Sequence, residues 1–282
     1  MRVPTEPIRL VSCNTEFAGC AEFGYGAADR RDEQIQLLRA LKPDVLVLQE
    51  MNGCRDLGGR RFRRWVIGTG MAQGFLAHAN VTTSGHRFDS AILVSDRVRV
   101  LAEGGNRAKY HHVLGWMECE IDGLPAPLEI KHIHLDPFDP RNRTTETAPF
   151  EVLAAPGRQA VVIGDGQGVA RGFPEPDWSR LPPHLRNGHL GLPGTRWEGI
   201  ADRSAVEQLA LAGLVDLAEH FDDQRPTGGF GPNDVERRQD VAIVSPDLVP
   251  LARNYQVHAE FVDRRLTDHA VVSFDLDPYA AV

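Results

Sequence analysis

The chain has 282 residues, 42% of them hydrophobic and 25% charged, with 39 acidic against 31 basic side chains and a formal net charge of -8. That balance argues against a protein that coats nucleic acid by bulk electrostatics, though a local basic patch is still free to grip a phosphate backbone. There is no apolar run near the length of a membrane span, and Pro4, Glu6 and Pro7 stand where a leader peptide would be charged and then apolar, so a cytoplasmic protein without a membrane partner is expected. Cys13, Cys20, Cys54 and Cys119 show no CxxC pairing, which predicts reduced thiols instead of a zinc cage or a disulfide framework.

Residues 8–14 (IRLVSCN) read as a β-type run ending on Asn14. Residues 15–29, with their glycines and aromatics, read as a loop over the strand ends. Residues 30–41 follow as a helix with Ile35, Leu38 and Leu41 on one side and Asp29 or Asp32 as cap. Lys42-Pro43-Asp44 stops it and hands the chain to a second run, 45–49 (VLVLQ), closed by Glu50. Asn14 and Glu50 thus fall at two strand ends, where a carboxylate beside an amide offers the oxygen ligands magnesium prefers. Taken singly, a strand-end Glu is a surface residue.

Arg60, Arg61, Arg63 and Arg64 surround Phe62 in a compact basic and aromatic cluster that ends on Trp65. Two readings stay open, an exposed helix face with its aromatics turned inward or a contact with the substrate's phosphate backbone. From residue 74 the chain becomes β-rich, with runs at 75–79, 90–95, 98–102, 112–121 and 128–135 between Gly, Asp or Pro turns, which predicts hairpins in an antiparallel or mixed sheet. In 128–134 (LEIKHIH) alternation puts His132 and His134 on one face, making both candidates for the site and one of them a candidate for a structural role.

The Pro-rich stretch 136–157 predicts mostly loop, with at most a short helix near 145–154. Residues 161–168 (VVIGDGQG) then read as a buried strand that delivers Asp165 to an edge, its flanking glycines allowing close approach. Residues 169–203, rich in Pro, Gly and Arg, predict a long irregular segment of the kind that shapes binding sites. Ser204 and Glu207 form a capping-box pattern ahead of a helix closed by Gly213. Runs at 240–245, 251–259 and 270–276 complete the chain, with Thr267-Asp268-His269 before the last of them. No repeat or linker interrupts residues 1–282, so one domain is expected.

These strand ends, taken together, resemble the endonuclease/exonuclease/phosphatase superfamily, which contains the deoxyribonuclease I-like and exonuclease III-like nucleases, sphingomyelinases and inositol-phosphate phosphatases. The resemblance spans nearly the whole chain and runs in the family's order: Asn14, "LQE" ending on Glu50, "HL" at His134, "GD" at Asp165, "RRQDVAIVS" containing Asp240, and "TDH" at 267–269. It implies an α/β (α+β) four-layer sandwich, two mixed β-sheets face to face with helices on both outer sides. It also implies a metal-dependent phosphoester hydrolase. Carried over residue by residue, Glu50, Asn14 and Asp268 would hold Mg2+, with Mn2+ as a substitute. Asp165 would orient or deprotonate the attacking water, His269 would be held by Asp240, and His134 would bind phosphoryl oxygens.

The family's G-D-x-N is departed from at Gln167, which offers the same amide on a longer arm, and Ile133 replaces the Thr common before the family's His. A nuclease-like phosphodiesterase is the first reading of substrate, so nucleic acid is among the expected partners. Small phosphorylated metabolites or lipid head groups are the alternative, and a phosphate-ligand binder weakened by Gln167 is the third. Oligomeric state is not written in the sequence.

Overall fold

The structure is a computed structural model that describes residues 6–21, 29–83 and 85–279. Much of the predicted 15–29 loop, residues 22–28, therefore lies outside the described residues. In chain order the strands and helices are β1 (Ile8–Asn14), α1 (Arg31–Ala40), β2 (Val45–Gln49), α2 (Asp56–Thr69), β3 (Gln73–Ala77), β4 (Ser90–Val94), β5 (Val98–Asn106), β6 (Leu114–Ile121), β7 (Leu128–His134), α3 (Pro140–Thr147), β8 (Gln159–Asp165), α4 (Ser204–Ala212), β9 (Val215–Asp216), α5 (Leu217–His220), β10 (Asp240–Val244), β11 (Ala252–His258), α6 (Glu260–Asp263) and β12 (Val271–Leu276).

They form two six-stranded mixed sheets, β11-β12-β1-β2-β4-β3 and β5-β6-β7-β8-β10-β9. Each sheet has one parallel pair at its centre, β1 with β2 and β7 with β8, and antiparallel neighbours elsewhere. Central strands buried on both faces need continuous apolar runs, which is what Val45–Gln49 and Gln159–Asp165 supply. The inner faces of the sheets share one core: Leu10, Val47 and Phe274 from the first meet Ile130, Ile163 and Ala242 from the second. Outside the first sheet, α1 and α2 bury Leu38 and Trp65 against Leu46 and Leu48. Outside the second, Leu209 of α4 and Phe150 and Leu153 pack on Val162 and Ile243. The result is the expected four layers. All four cysteines are buried, and among the described residues no helix is long and apolar enough to cross a membrane.

Two local readings are corrected. Residues 140–154 are helical almost throughout, α3 running into a 3-10 turn at Ala148–Ala154, because Asp139 accepts from Arg141 N at the N-cap and Pro140 fits the first helical position. The Ser204 capping box does not form. Asp202 instead accepts from the Ser204 backbone N–H, at 3.0 Å, and from its hydroxyl. The 169–203 segment carries a small core of its own, with Val169, Trp178, Leu181 and Ala201 closed over Val235.

Candidate active site at the sheet edges

The topology explains why the site residues meet. The parallel pairs place Asn14 beside Gln49 and His134 beside Asp165, so both sheets present strand C-termini at the same edge. The antiparallel strand β10 starts at that edge, with Asp240 opposite Asp165. Thr267 Oγ1 donates to Asn14 O at 2.7 Å, which anchors the Asp268-His269 turn just before β12.

Asp165 is fully buried and sits at the centre. Its Oδ2 accepts from Asn14 Nδ2 at 3.1 Å and Gln167 Nε2 at 2.7 Å, its Oδ1 accepts from Gln167 N at 2.8 Å, and the Nε2 atoms of His134 and His269 each lie 3.7 Å from Oδ2. Glu50 and Gln167 both leave their strands in the left-handed region, at φ 59° and 55°, a conformation that costs a non-glycine residue about 1–3 kcal/mol and concentrates at functional sites. Gly164, at φ 135°, allows the approach: a Cβ there would lie 2.1 Å from Ile133 O.

On the Glu50 side, Asn14 Nδ2 reaches Glu50 Oε1 at 3.3 Å and Phe17 N donates to Oε2 at 3.1 Å. Burial, reinforced by Asp268, pushes the Glu50 carboxyl well above the usual carboxylate range. On the other side His269 Nδ1 lies 2.9 Å from Asp240 Oδ2. Burial alone would lower the His269 pKa, but Asp240 and Asp165 outweigh it and hold the imidazole well above its ordinary value, so it is cationic at neutral pH. His134 is the reverse case, kept neutral by burial and by the His269 charge. Its Nε2 accepts from Gln167 Nε2 at 3.2 Å, which puts its proton on Nδ1.

The donor set suits a hard divalent cation at Glu50. A half-buried carboxyl whose ionisation is opposed by a second carboxylate is relieved by positive charge, and oxygen ligands are those magnesium and manganese take. Asp165, Asp240 and His269 also bring ligand atoms within 4.8 Å of one another. A metal seated at that triad would have to displace the proton that Asp240 and Asp165 hold on His269.

Of the residues read from sequence, Asn14, Glu50, His134, Asp165, Gln167, Asp240 and His269 are linked by these contacts, and Asp268 stands exposed close enough to act on the charge of Glu50 and His269. His132 does not join them. It is fully buried between the sheets with Gln49 Nε2 2.6 Å from its Nε2, so it has no surface to offer a substrate. Arg60, Arg61, Arg63 and Arg64 ride on α2 outside the first sheet and line no part of the cleft beside Gln167. Arg64 pairs with Asp32, and Arg60 Nε donates to Leu57 O.

Sequence reading missed Gln239, whose Nε2 lies 3.0 Å from His269 Nε2 while its Oε1 is buried without a partner. Turning that amide over puts Oε1 against the Nε2–H of the cationic ring and satisfies both groups. It also missed the aromatic wall of the cleft, Phe17, His86, Phe88 and His112, which comes from loops whose convergence no local spacing encodes.

No protein-family model matches the chain, and no curated protein matches it in sequence. Solved structures do. The chain is similar to an AP endonuclease from Archaeoglobus fulgidus (TM-score 0.63, 15% identity, 96% of this chain and 99% of that one). It is similar to the 3'-5' exonuclease NExo from Neisseria meningitidis (TM-score 0.63, 15% identity, 96% and 100%). It is similar also to TDP2 from C. elegans (TM-score 0.60, 17% identity, 98% and 77%). At such identities the likeness carries the architecture, and that architecture agrees with the sheet order and the edge described above: the chain has the deoxyribonuclease I-like fold of the endonuclease/exonuclease/phosphatase superfamily.

Proposed function

We propose that the protein is a divalent-metal-dependent phosphoester hydrolase, acting on a phosphodiester by attack of water at phosphorus. The observation that carries this is the placement of Asp165 between the Glu50–Asn14 pair and the Asp240–His269 pair. Hydrolysis needs an activated water, positive charge against the non-bridging oxygens and a route for the leaving oxygen. Asp165 orients the water and takes its proton as the new oxygen–phosphorus bond forms and the ester P–O bond breaks. His269, kept protonated by Asp240, gives up Gln239 Oε1 as acceptor and passes its Nε2 proton to the leaving oxygen, which departs as the alcohol. Asn14 holds Glu50 and Asp165 in one register, and Gln239 keeps the His269 ring in place. A cation held by Glu50, with Asn14 and Asp268 beside it, would supply Lewis-acid stabilisation of the developing charge.

The solved neighbours named as endonuclease and exonuclease support a nuclease-type diester as substrate. One observation favours a smaller phosphoester: among the described residues, the cleft that opens beside Gln167 and Glu50 has no Lys or Arg in its lining, whereas tracking a polyanionic backbone calls for them. The test is a screen with magnesium or manganese across single- and double-stranded nucleic acids, small phosphodiesters and phosphomonoesters, with Asp165→Ala as control. Turnover that needs the metal and fails in the variant is expected. Absence of turnover on every ester, or equal turnover by Asp165→Ala, would overturn the proposal.

A further inference from the structure

The cleft beside the acid cluster has a volume of about 450 Å3, within the roughly 300–1,000 Å3 of small-ligand sites. Its walls are a continuous run of rings. Phe17 meets His86 at 5.3 Å and Phe88 at 5.6 Å between centroids; Phe88 meets His112 at 5.0 Å; His112 meets His134 at 4.2 Å and His111 at 4.6 Å; His111 meets Phe138 at 5.6 Å. His134 and Gln167 belong both to this wall and to the phosphoester site, so the two are contiguous.

Burial, with His134 and His111 adjacent, lowers the pKa of His112 to about 2, so His112 and His134, both buried at the back of the cleft, are neutral at physiological pH. His111, 3.1 Å from Asp136, is held towards its charged form. Phe138 is 73% exposed at the cleft, an apolar surface that a ligand would cover.

Phe138 is nonetheless fixed. Asp136 accepts from Phe138 N at 2.7 Å, from Asp139 N at 3.1 Å and from Asn142 Nδ2 at 2.7 Å, while buried Glu146 accepts from Asp136 N at 2.9 Å and His111 N at 2.5 Å. One carboxylate on α3 thereby ties two of the ring-bearing loops, those of His111 and Phe138, together before any ligand arrives. A wall ordered in advance loses little entropy on binding.

We infer that this cleft is the specificity site of the enzyme and that it receives one flat, uncharged aromatic group, of the size of a nucleobase, borne by the phosphoester under attack. The inference rests on the proposed hydrolase reading for the position of the phosphate, but the preference for a ring follows from the wall itself. Aromatic stacking on a base is worth about 1–3 kcal/mol, which is about 5- to 150-fold in affinity.

The experiment is calorimetric binding to Asp165→Asn in magnesium, repeated with wild type in chelator. Two ligand pairs share a phosphate and differ in the ring: AMP against ribose 5-phosphate, and phenyl phosphate against methyl phosphate. The ring-bearing member is expected to bind at least fivefold tighter. A preference in the first pair alone assigns a nucleobase, and in the second alone an aryl ester. In Phe138→Ala, an exposed position where folding is not at stake, the ratio should fall towards one. Equal affinities in both pairs, or a ratio untouched by Phe138→Ala, would overturn the inference. Ring preference without hydrolysis of any ester would remove the enzyme reading and leave the cleft, and hydrolysis without ring preference would do the opposite.

Discussion

Asp165 and Asp240 face each other in register across the antiparallel pairing of β8 with β10, and His269 reaches towards both, Nδ1 2.9 Å from Asp240 Oδ2 and Nε2 3.7 Å from Asp165 Oδ2. Two buried carboxylates at one ladder rung would repel each other without the cation between them. The ring therefore settles the charge of the site as well as offering a donor to substrate.

Removing the charge that holds His269 protonated should expose this. Asp240→Asn is expected to lower turnover by on the order of 10^2- to 10^4-fold, the range for a positioned proton donor. The sign of the pH effect follows from the raised pKa of His269. Its protonated form is fully present below the ordinary imidazole range and is lost as pH climbs through the raised value, so wild type keeps activity into alkaline solution. In the variant the alkaline limb of kcat/KM should move to lower pH. An unmoved limb would show that His269 does not work as the cation.

Glu50 carries a cost that a metal relieves. Its folded pKa is raised, so its linkage favours folding fully only below the ordinary carboxylate range, and the contribution is lost as pH rises through the raised value. In chelator at neutral pH, Glu50→Gln should therefore melt higher than wild type, by about 2–4 °C for a gain of roughly 1 kcal/mol in a chain this size. With magnesium the order should reverse, because the metal-induced rise in Tm belongs to wild type. Calorimetric scans with and without magnesium check both halves, and equal metal-induced shifts would move the cation away from Glu50.

Gly164 is a backbone requirement of the site. A Cβ there would lie 2.1 Å from Ile133 O, on a residue at φ 135°. Gly164→Ala should cost upwards of about 2 kcal/mol in chemical denaturation, since β7 and β8 must separate or the strand must re-aim. Near wild-type stability would mean that the edge is softer than the close contact implies.

What the sequence made legible was whatever recurs locally. Strand runs ending on Asn14, Glu50, His134 and Asp165 were readable because an apolar run that stops on a polar residue leaves a mark within eight positions. Their convergence needed the parallel pairings of β1 with β2 and β7 with β8, which no single segment records; the order of the motifs stood in for it. The start of α3 lies in a stretch whose prolines predict loop, whereas Pro140, following Asp139, begins the helix. His132 and His134 share a strand face and both are buried, yet only His134, two residues further along the strand, lines the cleft. The arginines of α2 form a basic cluster along the chain but not at the cleft.

The last prediction concerns Gln167, where the sequence departs from the family's asparagine. Its backbone N–H is fixed to Asp165 Oδ1 at 2.8 Å, and its amide nitrogen is spent inward, 2.7 Å from Asp165 Oδ2 and 3.2 Å from His134 Nε2. To touch a phosphoryl oxygen with an N–H it must give up one of these partners. Asparagine, one methylene shorter on the same pinned backbone, cannot hold both, so Gln167→Asn should free the amide and raise turnover by on the order of 10-fold, a placement change of ~1 Å being worth up to about 100-fold. Gln167→Ala should lower it by roughly 10- to 1,000-fold, since it removes both the amide that holds Asp165 Oδ2 and the donor that can turn to transition-state charge. Asp165→Ala should be worse than either, since it removes the group that acts on the water. The ordering Asn above wild type above Ala, with Asp165→Ala lowest, is read from kcat on whichever ester the screen identifies. If Gln167→Asn falls below wild type, the inward hydrogen bonds are part of the working site and the longer arm is the fitted one.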